Sequence, residues 1–299
     1  MRILVTGSSG LVGTALLSHL HAEGHDVLRL VRGDSPVAPT EIRWDPARAA
    51  IDEEGLEGLD EVVHLAGEGL AEGRWTRARK DRIWRSRVEG TRLLAEALAR
   101  RRAKPRALVS ASATGYYGNR GDQPLDESCG PGSGFLARLC EAWEGATEPA
   151  ARAGIRVVRL RTGVVLSSAG GALPKMLPAF QLGLGGPLGT GSQYLPWIAL
   201  DDLLRVIEVA IADEALRGPV NAVAPCPATS REFALALGRA LHRPAAVPVP
   251  AFLLRIAVGE LADEGLLASQ RVMPTRLLAT GFSFRHPELA EALRHALGR

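Results

Sequence analysis

Four hydroxyl side chains crowd one short stretch, Ser112, Thr114, Tyr116 and Tyr117. They follow the apolar run Ala107-Leu108-Val109, which turns small and hydroxylated as Ser110-Ala111-Ser112-Ala113. In a parallel α/β sheet, ligands bind beyond the carboxyl ends of the strands. A phenol there can donate or accept a proton, and a smaller hydroxyl can orient a carbonyl or alcohol. Tyr116 and Tyr117 are therefore candidate proton donors, with Ser112 and Thr114 as candidate orienters; aromatic packing under a loop is the alternative for both tyrosines. A second stretch complements them. Gly7, Gly10 and Gly13 stand at G-x-x-G-x-x-G spacing, directly after the apolar run Ile3-Leu4-Val5 and before a helical pattern. A strand turning sharply into a helix exposes backbone N–H groups that, with the helix dipole, hold a phosphate. Glycines let a pyrophosphate approach and let the helix pack close to the strand. The expected cofactor contacts are Gly7, Ser8, Ser9, Gly10, Leu11, Val12 and Gly13, with the two serines adding hydroxyl donors.

The elements that would position these residues alternate. Leu11, Val12, Ala15, Leu16 and Leu20 recur at helical spacing, and Gly24 ends that helix. Val27 to Val31 reads as a buried parallel strand. The end of such a second strand usually carries the ribose reader. An acid suits the 2′-hydroxyl of NAD and an arginine the 2′-phosphate of NADP. Arg32 stands there and Asp34 comes late, so NADP is expected in preference to NAD. Ile42 to Asp45 reads as a third strand, ending at Pro46 near the adenine. A fourth runs from Glu61 to Gly67, and its small end at Leu65, Ala66 and Gly67 would let the nicotinamide half pass over the sheet edge. His64, inside that strand, reads as a packed, hydrogen-bonded histidine. Helices are predicted over about 77–102 and 135–153, and a sixth strand over 155–161.

This pattern predicts an α/β fold, a Rossmann doubly wound parallel sheet with a smaller, mainly helical C-terminal lobe. The Rossmann domain is expected over 1–162, with further sheet strands from 194–224. An interleaved substrate lobe would cover 163–299, and its part from 230 to 299 would form a small helical domain filled by Phe233, Leu235, Leu237, Phe252, Leu253 and Leu254. Asp201 and Asp202 would cap a helix running to about Ala212.

Composition narrows the function classes. The 299 residues are 46% apolar, enough for one large or two modest cores. The net charge is only +3, with lysine confined to Lys80, Lys104 and Lys175. The densest basic run, Arg100 to Arg106, follows an amphipathic helix and reads as its solvated last turn. A nucleic-acid partner would need a basic stripe interleaved with aromatics, which the chain does not show. No apolar run approaches a membrane span. Three cysteines without metal spacing, and a start that enters a strand directly, predict reduced thiols, no leader and a cytoplasmic protein without a metal. Arg74, Arg82, Arg87 and Arg161 could face the cleft. If two do, the small-molecule substrate is expected to be an anion; pairing with Glu68, Glu72 or Glu141 is the alternative. A monomer or homodimer is expected.

Taken together, Thr6 to Gly13, His64-Leu65-Ala66-Gly67, Ser112 to Gly118 and Trp197 to Asp202 resemble the extended short-chain dehydrogenase/reductase superfamily. More narrowly, the chain resembles an uncharacterised NAD(P)-dependent epimerase-like family with a small helical C-terminal domain of unknown function. The stretches Ser110 to Gly118, Leu160 to Leu166, Gly183 to Pro187, Ala268 to Val272 and Gly281 to Phe284 carry that likeness. The resemblance implies a Rossmann fold and NADP binding. It also implies a Ser/Thr, a Tyr and a Lys four residues later, and no Tyr-x-x-x-Lys occurs here. Aligning on Leu139 puts Arg138 at the lysine position and Gly134 at the tyrosine position, and Arg87 stands where the family carries Asn. Arginine can hold ribose or phosphate but exchanges a proton poorly. Two readings follow: an NADP-dependent, epimerase-like oxidoreductase, or an NADP-binding regulatory or interaction module without turnover.

Overall fold

The computed structural model describes residues 1–33 and 38–299. Its centre is an eight-stranded sheet built from β1 (Arg2–Thr6), β2 (Asp26–Val31), β3 (Glu41–Asp45), β4 (Ala50–Ile51), β5 (Glu61–His64), β6 (Ala107–Ala113), β7 (Arg156–Thr162) and β8 (Gly218–Ala222). The order is β8-β7-β6-β5-β1-β2-β3-β4. All pairs are parallel except β3 with β4. The order reverses at β1, between β2 and β5. That is the switch point where a crevice opens beyond the strand ends.

The strands alternate their apolar side chains between two cores because successive residues face opposite sides. On one face, Ile3, Val5, Val63 and Val109 meet the helix α1 (Leu11–Ala22) and the helix Leu200–Ala212. On the other, Leu4, Val62 and Leu108 meet Leu94 and Leu98 of α3 (Gly90–Ala99). A third core, containing Trp197, Phe233, Leu237 and Leu293, lies in the C-terminal part.

Several expectations need correction. The predicted helix over 77–102 is α2 (Arg77–Trp84) and α3 joined by a π-helical turn, Arg85–Glu89. The helix expected over 135–153 breaks into α4 (Phe135–Gly145) and Glu148–Arg152. Within 194–224 only β8 joins the central sheet. Trp197–Ala199 pairs instead with Val164–Leu166, and Tyr194–Leu195 with Ala228–Thr229. Phe233 and Leu237 are buried as expected, but Leu235, Phe252 and Leu253 are exposed. No residue of the helix Ala251–Val258 is buried. Asp201 and Asp202 lie inside the first helical turn rather than at its cap. No described helix is long and apolar enough to cross a membrane.

Candidate functional site

The glycine turn is held from beneath by a buried chain of hydrogen bonds. Thr6 Oγ1 accepts from the Leu65 and Ala66 amides, each at 3.1 Å, and lies 2.7 Å from His64 Nδ1. With both lone pairs used, Thr6 donates to Nδ1, which places the imidazole proton on Nε2. Nε2 then donates to Thr91 Oγ1 at 2.8 Å, and Trp143 Nε1 donates to the same oxygen at 2.9 Å. Burial lowers the His64 pKa to about 4, so the ring is neutral. His64 is structural: it draws the end of β5 against the glycine turn.

That closeness explains the glycines. A Cβ on Gly7, whose φ is +67°, would lie 2.7 Å from the Leu65 carbonyl carbon. One on Gly13 would run into the Gly7 carbonyl, 2.8 Å from its carbon. Gly7, Ser8, Ser9 and Gly10 open onto a cavity of ≈730 Å³. Arg29 and Arg32 from the end of β2, Trp44 to Ala47 after β3, and Leu65, Ala66 and Gly67 after β5 line it. Leu11 and Val12 are not among its walls: Leu11 packs on Gly170 and Gly171, and Val12 on the core. Their contribution reduces to the backbone at the helix start. Asp34 lies outside the described residues.

On the remaining wall, the sequence singled out Arg82 alone. Arg82, Arg85, Ser86 and Glu89 line the cavity from α2 and the π turn. A π turn inserts one extra residue and re-aims the side chains after it, and helical periodicity in the sequence does not reveal it. Arg82 pairs with Glu68 at 3.2 Å, and Arg29 pairs with Glu41. Arg32 is exposed and forms no ion pair among the described residues.

The hydroxyl stretch is resolved residue by residue. Tyr117 is fully buried; its phenol donates to Asn221 Oδ1 at 2.7 Å and accepts from Arg161 Nη1 at 3.0 Å. Burial pushes its pKa up to about 12. It is therefore a packing residue and not a proton donor. Ser112 is likewise committed, donating to Glu144 Oε1 at 2.8 Å. Arg161 grips both Glu144 oxygens at 2.8 and 2.9 Å, so its partner is Glu144 and not Glu141. Arg87 donates to the Glu68 carbonyl at 2.8 Å and lies over Trp143. Tyr116 remains half-buried, with its ring centroid 3.5 Å from the Arg161 guanidinium carbon. Desolvation raises its pKa; Arg161 opposes that shift and Glu144 adds to it. Thr114 is buried and forms no side-chain hydrogen bond among the described residues.

Helix α4 corrects the expected relay. Arg138 is exposed and does not line the cavity. The residues that face the turn after β6 are Leu136 and Cys140, one turn apart. A methyl at Gly115 would lie 3.3 Å from Leu136 Cβ and 3.8 Å from Cys140 Sγ. Cys140 is buried and its pKa is raised to about 12, chiefly by desolvation. An aliphatic chain and a neutral thiol thus occupy this i, i+4 face. The α4 N-terminus is closed by Glu264, whose carboxylate accepts from Phe135 N and Leu136 N, both at 2.7 Å. Sequence separation of about 130 residues hid that contact.

A parallel sheet with a glycine cradle at its switch point defines a dinucleotide-binding α/β protein. Residues 3–222 match the model of the NAD dependent epimerase/dehydratase family, and residues 249–296 match a domain of unknown function, DUF1731. The chain belongs to the NAD dependent epimerase/dehydratase family. It is 46% identical over 297 residues to the epimerase family protein Mb2239 of Mycobacterium bovis, covering 99% of this chain and 98% of that one. The human epimerase family protein SDR39U1 (isoform 2), crystallised with NADPH, superposes with a TM-score of 0.92 at 38% identity over the whole of both chains. A nucleoside-diphosphate sugar epimerase from Corynebacterium glutamicum gives 0.82 at 37%, with this chain spanning 58% of its length.

Proposed function

We propose that this protein binds NADP(H) along the β1–β5 crevice and reduces a small carbonyl compound, or oxidises the matching alcohol. The observation that carries the reading is the ≈730 Å³ cavity. Its glycine turn offers backbone N–H groups at one wall, and Arg32 stands at the end of β2. The missing Cβ atoms of Gly7 and Gly13 fit a bound pyrophosphate, because side chains there would collide with the backbone that forms the cradle. The human relative's NADPH supports the same cofactor.

Bound NADP would supply or accept a hydride at its nicotinamide. The chain's own residues have separate tasks. Amides at the start of α1 and the Ser8 and Ser9 hydroxyls hold phosphate. Arg32 takes the 2′-phosphate. Tyr116 stays protonated at neutral pH, given its raised pKa, and passes its proton to the carbonyl oxygen as hydride reaches the carbon. Water returns the proton. Arg161 fixes the ring, and Thr114, two residues earlier in the chain, is the hydroxyl left to orient the substrate. The substrate is taken from the side of residues 163–299.

A second reading is favoured by the Leu136 and Cys140 face: an NADP-binding module without turnover. The two separate in one experiment. NADPH-loaded protein is mixed with a panel of small carbonyl compounds, acids included, and absorbance is followed for the wild type and Tyr116→Phe. Oxidation at least about tenfold faster than in the variant supports the enzyme. Tight NADPH binding with no oxidation of any compound supports the module. Equal affinity for NADPH and NADH, unchanged by Arg32→Ala, defeats the assignment of Arg32 and of NADP.

A further inference from the structure

Asp201, His286 and His295 bring one carboxylate oxygen and two imidazole nitrogens within 4.8 Å of one another, far in sequence from the dinucleotide crevice. Three separate elements supply them: the first turn of the helix Leu200–Ala212, the loop before Pro287, and the last turn of the helix Leu289–Ala296. The geometry points to a binding site for one divalent transition-metal ion at this junction.

The cluster is held from inside the fold. Asp202, next to Asp201 and fully buried, accepts from the Arg285 amide at 2.7 Å and the His286 amide at 2.9 Å. One helical turn therefore presents Asp201 outward and anchors the backbone of His286 inward. His295 is set by its own helix, whose Leu289, Ala292 and Leu293 are buried in the C-terminal core. Its Nε2 lies 2.7 Å from Asp201 Oδ2. The two imidazoles stack with centroids 4.1 Å apart and planes 20° apart.

Neutral imidazoles are metal ligands, and a metal-bound histidine commonly turns its other N–H to a carboxylate. His286 has a carboxylate in place for such a contact. Its Nδ1 is buried without a hydrogen bond, and Glu291 Oε1 lies 3.4 Å away. With Nδ1–H turned to Glu291, Nε2 is the ligand atom. Zinc-to-nitrogen and zinc-to-oxygen bonds of about 2.0–2.2 Å put tetrahedral ligands roughly 3.4 Å apart. The Asp201 Oδ2 to His295 Nε2 distance of 2.7 Å is shorter, so a bound ion requires these two partly exposed side chains to rotate apart. Two nitrogens and one oxygen suit Zn²⁺, Co²⁺ or Ni²⁺ rather than Mg²⁺ or Ca²⁺, with water completing the shell. The bound ion would staple the C-terminal helix to the helix Leu200–Ala212.

The test uses the full-length, chelator-treated protein and three metals alone: Zn²⁺ and Ni²⁺ by calorimetry, Co²⁺ by its visible d–d absorption. The expected result is one ion per chain, an ordered Co²⁺ spectrum, and a higher thermal midpoint with Zn²⁺. His295→Ala, at a half-exposed position, is expected to weaken binding by about tenfold or more. His286→Gln should do the same, and Cys226→Ser, whose thiol lies nearby on Glu288, should leave binding intact. Retained NADPH affinity confirms that the variants are folded. Wild-type binding no tighter than that of the His286→Gln, His295→Ala double variant overturns the site, as does binding lost in Cys226→Ser alone.

Discussion

Arg161 holds Glu144 through two parallel hydrogen bonds of 2.8 and 2.9 Å, with both side chains less than a tenth exposed. The pair joins β7 to the end of α4 and fastens what surrounds it. Ser112 donates to Glu144, Tyr117 accepts from Arg161, and the Tyr116 ring centroid lies 3.5 Å from the guanidinium carbon. A buried pair gains little over an apolar substitute, yet breaking it strands a charge. Glu144→Gln is therefore expected to cost about 3 kcal/mol in urea unfolding. Adding Arg161→Met should recover a large part of that loss. A single-variant cost below about 1 kcal/mol would show that the pair is solvated in solution.

Gly13 tests the cradle without touching any polar group. Alanine is the better helix former, so Gly13→Ala should leave α1 helical. Its methyl, however, must displace the Gly7 carbonyl and reshape the turn. NADPH fluorescence titration is expected to show an affinity at least about tenfold lower, equivalent to roughly 1.4 kcal/mol. An unchanged dissociation constant would mean that the turn is not where the phosphates rest.

Two buried groups in β5 give stability opposite pH slopes. His64 titrates near 6.5 when unfolded and about 4 when folded, so its contribution is complete above 6.5 and is lost as pH falls toward 4. Desolvation raises Glu61 from 4.5 to about 7 despite Arg106, so its contribution is complete below 4.5 and is lost as pH rises toward 7. Each shift corresponds to about 3 kcal/mol, and the two oppose each other across the shared window. Wild-type urea midpoints should vary little between these limits, whereas Glu61→Gln should gain stability steadily from pH 4.5 to 6.5. Parallel profiles for the two proteins would refute the opposition.

Glu264 and Gly134 should behave as one unit. The carboxylate caps α4, and Gly134, at φ +105°, leaves room for it; a Cβ there would lie 2.7 Å from Oε1. Glu264→Ala is expected to cost about 1–2 kcal/mol, as for a lost helix cap. Gly134→Ala should displace the same carboxylate, so the double variant should cost clearly less than the sum. Strict additivity in that cycle would contradict the contact.

The amino-acid sequence alone determined the scaffold. Apolar periodicity and the glycine spacing located β1, α1, β2, β5, β6 and β7, because burial and turn geometry act over a few residues. It also located the tight glycine turn that lines the cavity, since Gly7 and Gly13 answer to nearby backbone in the turn itself and at the end of β5. The fate of the hydroxyl stretch was decided only by tertiary structure. Ser112, Thr114, Tyr116 and Tyr117 look equivalent in one dimension. Partners brought from Glu144, Arg161 and Asn221 commit Ser112 and Tyr117 and leave Tyr116 and Thr114. Arg138 was misplaced because alignment on Leu139 carries no information about which face of α4 meets Gly115; packing selects Leu136 and Cys140. The π turn, the Glu264 cap and the Asp201–His295 contact lay beyond any local pattern, because each depends on groups joined by long-range chain return and not by spacing along the chain.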